Sequence, residues 1–211
     1  GVNSATVADS DFVPLPLTTL TFLPGEQFKT VTVQTVNDAY VEPNETFFVY
    51  LFNSTGGAPI VDNQGVGTII NNDTAGINVT PTSGLTTSEN GGTAQFNVVL
   101  TSAPRNPVTI AVASNDPSEG TTNVSSLTFN SSNWNTPQIV TVTGKNDTAG
   151  DGNIPYSVVL KPAVSADPVY NGINPADVSL INLDNEPMLS INDVSVTEGD
   201  TGVVYATFTV S

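Results

Sequence analysis

Apolar and polar residues alternate along much of the chain, which is the pattern of a β-strand with one buried face. The alternation is clearest at 94–100 and 204–210, where the even-numbered residues are apolar. Similar segments occur at 28–35, 47–51, 108–113, 138–142 and 156–160. Turn-forming Gly, Pro and Asn residues separate these segments, and none of the segments has the roughly 3.6-residue period of a helix. The pattern therefore predicts an all-β protein built from short strands, with no significant helix.

The chain also repeats its own sequence at an offset of about 110 residues. Residues 37–51 align without gaps on 146–160, and 69–73 align on 180–184. A repeat of this length is a whole domain rather than a unit of a short-repeat solenoid. We therefore predict three parts. Residues 1–74 form a sandwich that lacks its first strands, 75–187 form a complete sandwich, and 188–211 are the first strands of a further domain.

Composition narrows the possible functions. The 211 residues include 20 acidic and 4 basic side chains, a formal net charge of -16, and no His or Cys. The missing residues exclude disulfides, zinc–thiolate sites, cysteine nucleophiles and a Ser-His-Asp triad. The negative net charge disfavours binding to nucleic acid. No apolar run reaches the roughly 18 residues that a membrane-spanning helix needs. The Thr-, Asn- and Gly-rich, Lys-poor composition favours an extracellular or cell-surface protein. Nothing in the sequence defines a cleft around the acidic residues, so we do not expect an enzyme.

Acidic residues concentrate in four connections of the middle repeat. These residues are Glu89, Asp116 with Glu119, Asp147 with Asp151, and Asp184 with Glu186. If successive strands run antiparallel, the four connections lie at one end of the sandwich, where unpaired carboxylates repel one another. Calcium takes about six to eight oxygen ligands and tolerates irregular loops, so it is the cation best suited to this cluster. The alternative is that the acids are ordinary solvated turn residues.

Several motifs of the first and last parts resemble the Calx-beta family. They are the Pro-Gly-Glu turn at 24–26, the spaced acids Asp38, Glu42 and Glu45, the closing Asn72-Asp73 and the Glu-Gly-Asp at 198–200. The middle repeat is similar but more divergent, with Ile154 in the position of the third spaced acid. The resemblance implies tandem immunoglobulin-like sandwiches of two antiparallel sheets, of the kind found in large surface and adhesion proteins, and it implies calcium binding.

The resemblance also places Asp11, Asp38, Glu42 and Asp73 where the calcium ligands of the family lie, with Glu198 as a further ligand in the last part. Combined with the acids of the middle repeat, the candidate calcium ligands are Asp11, Asp38, Glu42, Glu45, Asp73, Glu89, Asp116, Glu119, Asp147, Asp151, Asp184 and Glu198.

These observations favour a structural or adhesive repeat module of an extracellular rod or filament, rigidified by calcium at its domain junctions. Two alternatives remain open, namely a calcium-sensing regulatory module of a larger membrane protein and a metal-free spacer beside a secreted enzyme domain. The expected partners are neighbouring repeats or copies of the same protein, through head-to-tail assembly or addition of strands from 188–211 onto 1–73. A cell-surface or glycan partner is a further possibility.

Overall fold

The computed structural model describes residues 11–187 and 189–211. Residues 1–10 and Met188, which belong to the predicted first and last domains, lie outside the described residues. The predicted all-β, immunoglobulin-like fold is confirmed, because the described residues form fourteen strands and no helix. Accordingly, no helix among these residues is long and apolar enough to cross a membrane.

The strands follow the alternating segments of the sequence. They are β1 (Phe12–Val13), β2 (Gln34–Thr35), β3 (Glu45–Tyr50), β4 (Gln64–Ile69), β5 (Ile77–Thr80), β6 (Leu85–Ser88), β7 (Thr93–Leu100), β8 (Val108–Ser114), β9 (Gly120–Thr122), β10 (Ser126–Phe129), β11 (Gln138–Gly144), β12 (Ile154–Leu160), β13 (Val164–Ser165) and β14 (Val178–Leu183).

Residues 75–187 form a sandwich of two sheets. One sheet has the order β10-β8-β12-β14-β6, with β13 also paired to β8, and the other has the order β5-β7-β11-β9. All neighbouring strands are antiparallel except β14 and β6, which are parallel. The opening strand of the sandwich is thus split, because β5 belongs to one sheet and β6 to the other.

The core lies between these two sheets. The alternating apolar residues of β7 all point into it, and Phe96 and Val98 are fully buried there. Phe129 from β10 and Tyr170 from the loop after β13 are among the largest fully buried side chains. The Tyr170 hydroxyl donates to the carbonyl of Ser102 at 2.7 Å. This buried contact joins the loop after β13 to the loop after β7.

The part before this sandwich contains two small sheets and the part after it contains one bridge, and their pairing matches that of the sandwich. β1 pairs with β2, and β3 pairs with β4. Phe12 lies opposite Thr35, just as Gly120 lies opposite Gly144 in β9 and β11. In the C-terminal part, Ile191 forms a bridge with Val210. Residues 11–74 therefore hold equivalents of the later strands of the sandwich, and 189–211 hold equivalents of its opening strands.

Two predicted strands are much shorter than expected. Of 28–35 only Gln34–Thr35 is a strand, and of 204–210 only Val210 is paired, in a single bridge. Their equivalents in the sandwich, β11 and β7, pair with each other along a six-residue register. The two shortened segments do not face each other in this way, and a strand without a ladder partner leaves its backbone groups unpaired.

The structure also shifts the internal alignment by two residues at β4. In sequence, Glu45 aligns with Ile154, and Asn71 aligns with Asn182. However, Glu45 pairs with Ile69, whereas Ile154 pairs with Asn182. Ile69 is therefore the spatial equivalent of Asn182, and Asn71 is the equivalent of Asp184.

The sandwich of 75–187 should be sensitive to truncation of its core. We expect Phe129→Ala to lower the free energy of unfolding by about 3–5 kcal/mol, because Phe129 is fully buried and the change leaves a cavity. Phe28 is 83% exposed, so the control Phe28→Ala should change it by less than about 0.5 kcal/mol. Urea unfolding followed by the fluorescence of Trp134 measures both. Equal effects of the two variants would contradict the assignment of the core.

Candidate metal centre

Six acidic residues meet at one end of the sandwich of 75–187. We call this cluster the second pole, and it consists of Glu89, Glu119, Asp147, Asp151, Asp184 and Glu186. The turn after β6 carries Glu89, whose amide donates to the carbonyl of Leu183 at 3.0 Å. Glu119 immediately precedes β9, the loop between β11 and β12 carries Asp147 and Asp151, and the exit from β14 carries the other two. The antiparallel strands therefore gather the acids as the sequence predicts.

Two groups of these carboxylates are close enough to share a cation. Oxygen atoms of Glu89, Asp151 and Asp184 all lie within 4.8 Å of one another, and those of Glu119, Asp147 and Asp151 do the same. Asp151 belongs to both groups, so the second pole is continuous. Five of the six acids that the sequence proposed for this repeat are thus brought together.

Part of the second pole is shielded from water. Glu89 is 4% exposed and Glu119 is 7% exposed. The Oε2 atoms of Glu89 and Glu186 are buried and have no hydrogen-bond partner while both side chains are ionised. The ion pairs formed by the described residues are Lys29 with Glu26 and Arg105 with Glu42, so no Lys or Arg in this part of the chain neutralises the second pole. A buried carboxylate oxygen without a partner is costly, and a cation or a proton removes the cost.

Local contacts shift the pKa values of Asp184 and Glu186 in opposite directions. Asp184 accepts hydrogen bonds from the amides of Glu186 at 2.9 Å and Gly152 at 2.8 Å. These bonds lower the pKa of Asp184. The pKa of Glu186 is raised to about 7, first because the Glu89 carboxyl lies within hydrogen-bonding reach, then by burial and by Asp184. In the absence of a cation, Glu186 thus retains its proton nearly to neutral pH.

Asp116 does not belong to either group. Its carboxylate accepts hydrogen bonds from the hydroxyl of Ser118 and, at 3.1 Å, from the amide of Ser118. These contacts lower its pKa, the hydroxyl being the larger cause. Asp116 thus caps the turn before Glu119, and its role as a ligand stays a prediction.

Glu186 was not among the candidate ligands, although the sequence places it two residues after Asp184 at the exit of the sandwich. Proximity in sequence gave no reason to prefer it over other turn acids. Its distinguishing feature is the unpartnered buried oxygen, which depends on the folding of Glu89 against the exit from β14.

The first pole consists of Asp11, Asp38, Glu42, Glu45 and Asp73. All five line one cleft of about 490 Å³ between β1–β2 and β3–β4. The sequence therefore selected acids that do lie together. Burial raises the pKa of Glu42, and the neighbouring Asp38 and Asp11 raise it further.

A protein cation approaches the first pole. Arg105, from the loop between β7 and β8, forms an ion pair with Glu42, and its guanidinium lies 5.0 Å from the centre of the Tyr40 ring. In the same loop, the amide of Ala103 donates to the carbonyl of Ala39 at 2.7 Å. The first pole thus lies at the junction between 11–74 and the sandwich, and one of its charges is already neutralised.

The first pole has a neutral residue where the second has an acid, and one predicted ligand lies outside both poles. Asn71 occupies the place of Asp184, and its side-chain oxygen accepts hydrogen bonds from the amides of Glu42 and Asp73, each at 3.3 Å. Glu198, which the sequence aligns with Glu89, is exposed and belongs to neither group of clustered carboxylates. Its role as a ligand therefore remains a prediction.

Comparison with known protein families gives one match. The Calx-beta domain model matches residues 3–82, in the first half of the chain. The match contains the first pole and extends beyond residue 74, where we placed the first boundary, into β5. The second pole lies outside the matched Calx-beta segment. Comparison with curated proteins gives no match.

Several solved structures are similar to part of the chain. The apo-form Calx CBD1 domain is 14% identical over 52% of this chain and 96% of its own length, with a TM-score of 0.40. CBD12 from CALX1.2 is 13% identical over 56% of this chain and 48% of its own, with a TM-score of 0.41. The periplasmic chaperone SfaE is 12% identical over 52% and 58%, with a TM-score of 0.42.

The raised pKa of Glu186 should make stability depend on pH when a chelator is present. The folded chain keeps this proton to about pH 7, whereas 4.5 is the ordinary pKa of the side chain, so its stabilising contribution is lost as the pH rises between these values. Glu186→Gln removes this titration. The free energy of unfolding of Glu186→Gln minus that of the wild type should therefore rise between pH 4.5 and about 7 and then level off.

Glu26→Gln is the matched control for urea unfolding across this range. The amide of Leu23, and then Lys29, lower the pKa of Glu26, so its contribution is lost only at more acid pH. The free energy of unfolding of Glu26→Gln minus that of the wild type should therefore not change with pH above about pH 4.5. A flat difference for Glu186→Gln would show that Glu186 does not share a proton with its neighbours.

Proposed function

We propose that the chain is a calcium-binding structural module of an extracellular rod or filament. The observation that carries this proposal is the buried, unpartnered Oε2 of Glu89 within a cluster of carboxylates that no described Lys or Arg neutralises. The Calx-beta match at 3–82 supports a calcium-related role independently, since it rests on a different part of the chain.

The donor set of the second pole fits calcium. Every side chain in the two groups offers carboxylate oxygen, which is the ligand that Ca²⁺ prefers. Six acids lie in four connections, so the site can supply several oxygens without a rigid geometry. The ion would be held by Glu89, Glu119, Asp147, Asp151, Asp184 and Glu186. It would supply positive charge that a proton on Glu186 replaces only in part.

The positions of the poles support a role in joining domains. Asp184 and Glu186 immediately precede 189–211, so a cation at the second pole would restrain the exit of the chain from the sandwich. The first pole contacts the sandwich through Glu42 and Arg105. A module whose charged sites lie at its junctions becomes stiffer when those charges are neutralised, as a rod requires.

Calcium should raise the melting temperature of the chain after treatment with a chelator. A native-state ligand at about a hundred times its Kd stabilises by about 2.7 kcal/mol. Glu89→Gln should remove most of the increase in the transition of the 75–187 sandwich, because it removes one buried charge. Glu26→Gln alters an exposed acid paired with Lys29 and should keep the full increase.

Differential scanning calorimetry in a chelator, and then across calcium and magnesium titrations, measures this effect. Equal magnesium should give a smaller increase, because Mg²⁺ demands stricter geometry and dehydrates reluctantly. If calcium does not change the melting temperature of any part of the chain, the chain is a metal-free spacer.

We further propose that copies of the chain assemble head to tail. In 189–211, the bridge between Ile191 and Val210 corresponds to the pair of Val79 and Val98 in the sandwich. Phe208 is thereby the equivalent of the fully buried Phe96, yet it is 55% exposed. This hairpin would add to the edge of β2 in another copy, as β7 adds to β11, and Glu198 would enter the first pole in the place that Glu89 takes in the second.

Sedimentation velocity over a range of concentrations tests this assembly. The wild type should form oligomers whose size increases with concentration, and Phe208→Asp should shift them to monomer, because a charge would replace the apolar contact. Val61→Asp is the control, since Val61 is 94% exposed and lies away from the proposed edge, in the loop before β4. A monomeric wild type at every concentration would overturn the proposal.

A further inference from the structure

Three polar side chains lie buried directly beneath the second pole. Thr87 is 2% exposed, Tyr156 is 4% exposed and Asn182 is 1% exposed. They come from β6, β12 and β14, three neighbouring strands of one sheet. Buried polar groups are costly unless they are hydrogen-bonded, so the contacts of this group show what it supports.

The contacts run in one direction, from the core to the acids. The hydroxyls of Tyr156 and Thr87 are 2.8 Å apart, and the Thr87 hydroxyl donates to Asn182 Oδ1 at 2.9 Å. Asn182 Nδ2 then donates to the carbonyl of Lys145 at 3.0 Å and to Glu119 Oε2 at 3.3 Å. Asn182 therefore connects the interior of the sandwich to a carboxylate of the second pole.

The backbone opposite this group is shaped to admit it. Gly120 and Gly144 face each other in β9 and β11. A Cβ atom at Gly120 would overlap the Tyr156 hydroxyl, and one at Gly144 would overlap Asn182 and the backbone of Ser88. The two glycines leave the space that Tyr156 and Asn182 occupy.

We propose that Asn182 is a positioning residue for calcium at the second pole, an inference that rests on the proposed function. Its amide holds the buried Glu119 carboxylate in the place where Glu119 approaches Asp147 and Asp151. The amide is a neutral donor, so it orients the carboxylate without adding to the negative charge. Hydrogen-bond partners of metal-ligating carboxylates commonly tune affinity in this way.

The first pole carries an apolar residue at the equivalent position. Ile69 occupies the position equivalent to Asn182, as the pairing of β3 with β4 shows. An Ile side chain has no donor to offer to an acid. The substitution Asn182→Ile thus copies into the second pole the residue that the chain itself carries at the first.

The test is calcium titration by calorimetry, well below the melting temperature, in a background in which Asp38→Asn and Glu42→Gln disable the first pole. Asn182→Ile should weaken calcium binding by about tenfold. Asn182→Ser is a second variant, for use if Asn182→Ile folds poorly. Its shorter side chain cannot reach Glu119, so it should also weaken calcium binding.

Tyr170→Phe is the matched control. It removes a buried hydroxyl that donates to the carbonyl of Ser102, in the loop between β7 and β8, so it should lower the melting temperature. It leaves the group beneath the second pole intact and should leave the calcium affinity unchanged. A double-mutant cycle completes the design. In a Glu119→Gln background, Asn182→Ile should cause no further loss of affinity, because Asn182 acts through that carboxylate.

The outcomes separate the two proposals. If the protein with an intact second pole gives no calcium heat, the proposed function fails at this site and the role of Asn182 fails with it. If calcium binds and Glu119→Gln weakens it, but both Asn182 variants bind as tightly as Tyr170→Phe, the positioning role alone is overturned. Loss of affinity in the Asn182 variants with no loss in Tyr170→Phe supports it.

Discussion

The burial of carboxylates at one end of the sandwich is the constraint on which the rest of the structure depends. Glu89 and Glu119 are almost fully shielded from water, and neither forms an ion pair with a described Lys or Arg. Breaking the two-sheet core to hydrate them would cost far more than accepting a proton or a cation. The rigid core therefore holds repelling charges together, and the charge state of the second pole must adapt to the fold.

The two poles resolve the same repulsion differently. At the first, Arg105 reaches Glu42 from the neighbouring sandwich, and neutral Asn71 takes the place of Asp184. At the second, an amide beneath the site donates to Glu119, and the neighbouring acids raise the pKa of Glu186. A pole that already contains a guanidinium gains less from a divalent cation than one that does not, since part of its charge is already compensated.

Much of the fold could be predicted because it depends on local pattern. The alternation at 94–100 identified β7 and its inward face, and the position of the acids in alternate connections placed them at one end. The strands at 28–35 and 204–210 were overestimated, because alternation shows which face is apolar but not whether a ladder partner lies alongside. The equivalence of Asn71 and Asn182 was wrong for a similar reason, since register is set by pairing between strands.

The sequence by itself determined the all-β class, the chemistry of the candidate ligands and the end of the sandwich at which they gather. These follow from residue type and from the two-residue period of strands, which are local properties. Only the tertiary structure decided which acids share an oxygen cluster, that Asp116 is not one of them, that an oxygen of Glu186 is buried, and that Asn182 lies beneath Glu119. Burial and contact between residues distant in sequence arise only when two sheets pack, and no local pattern encodes them.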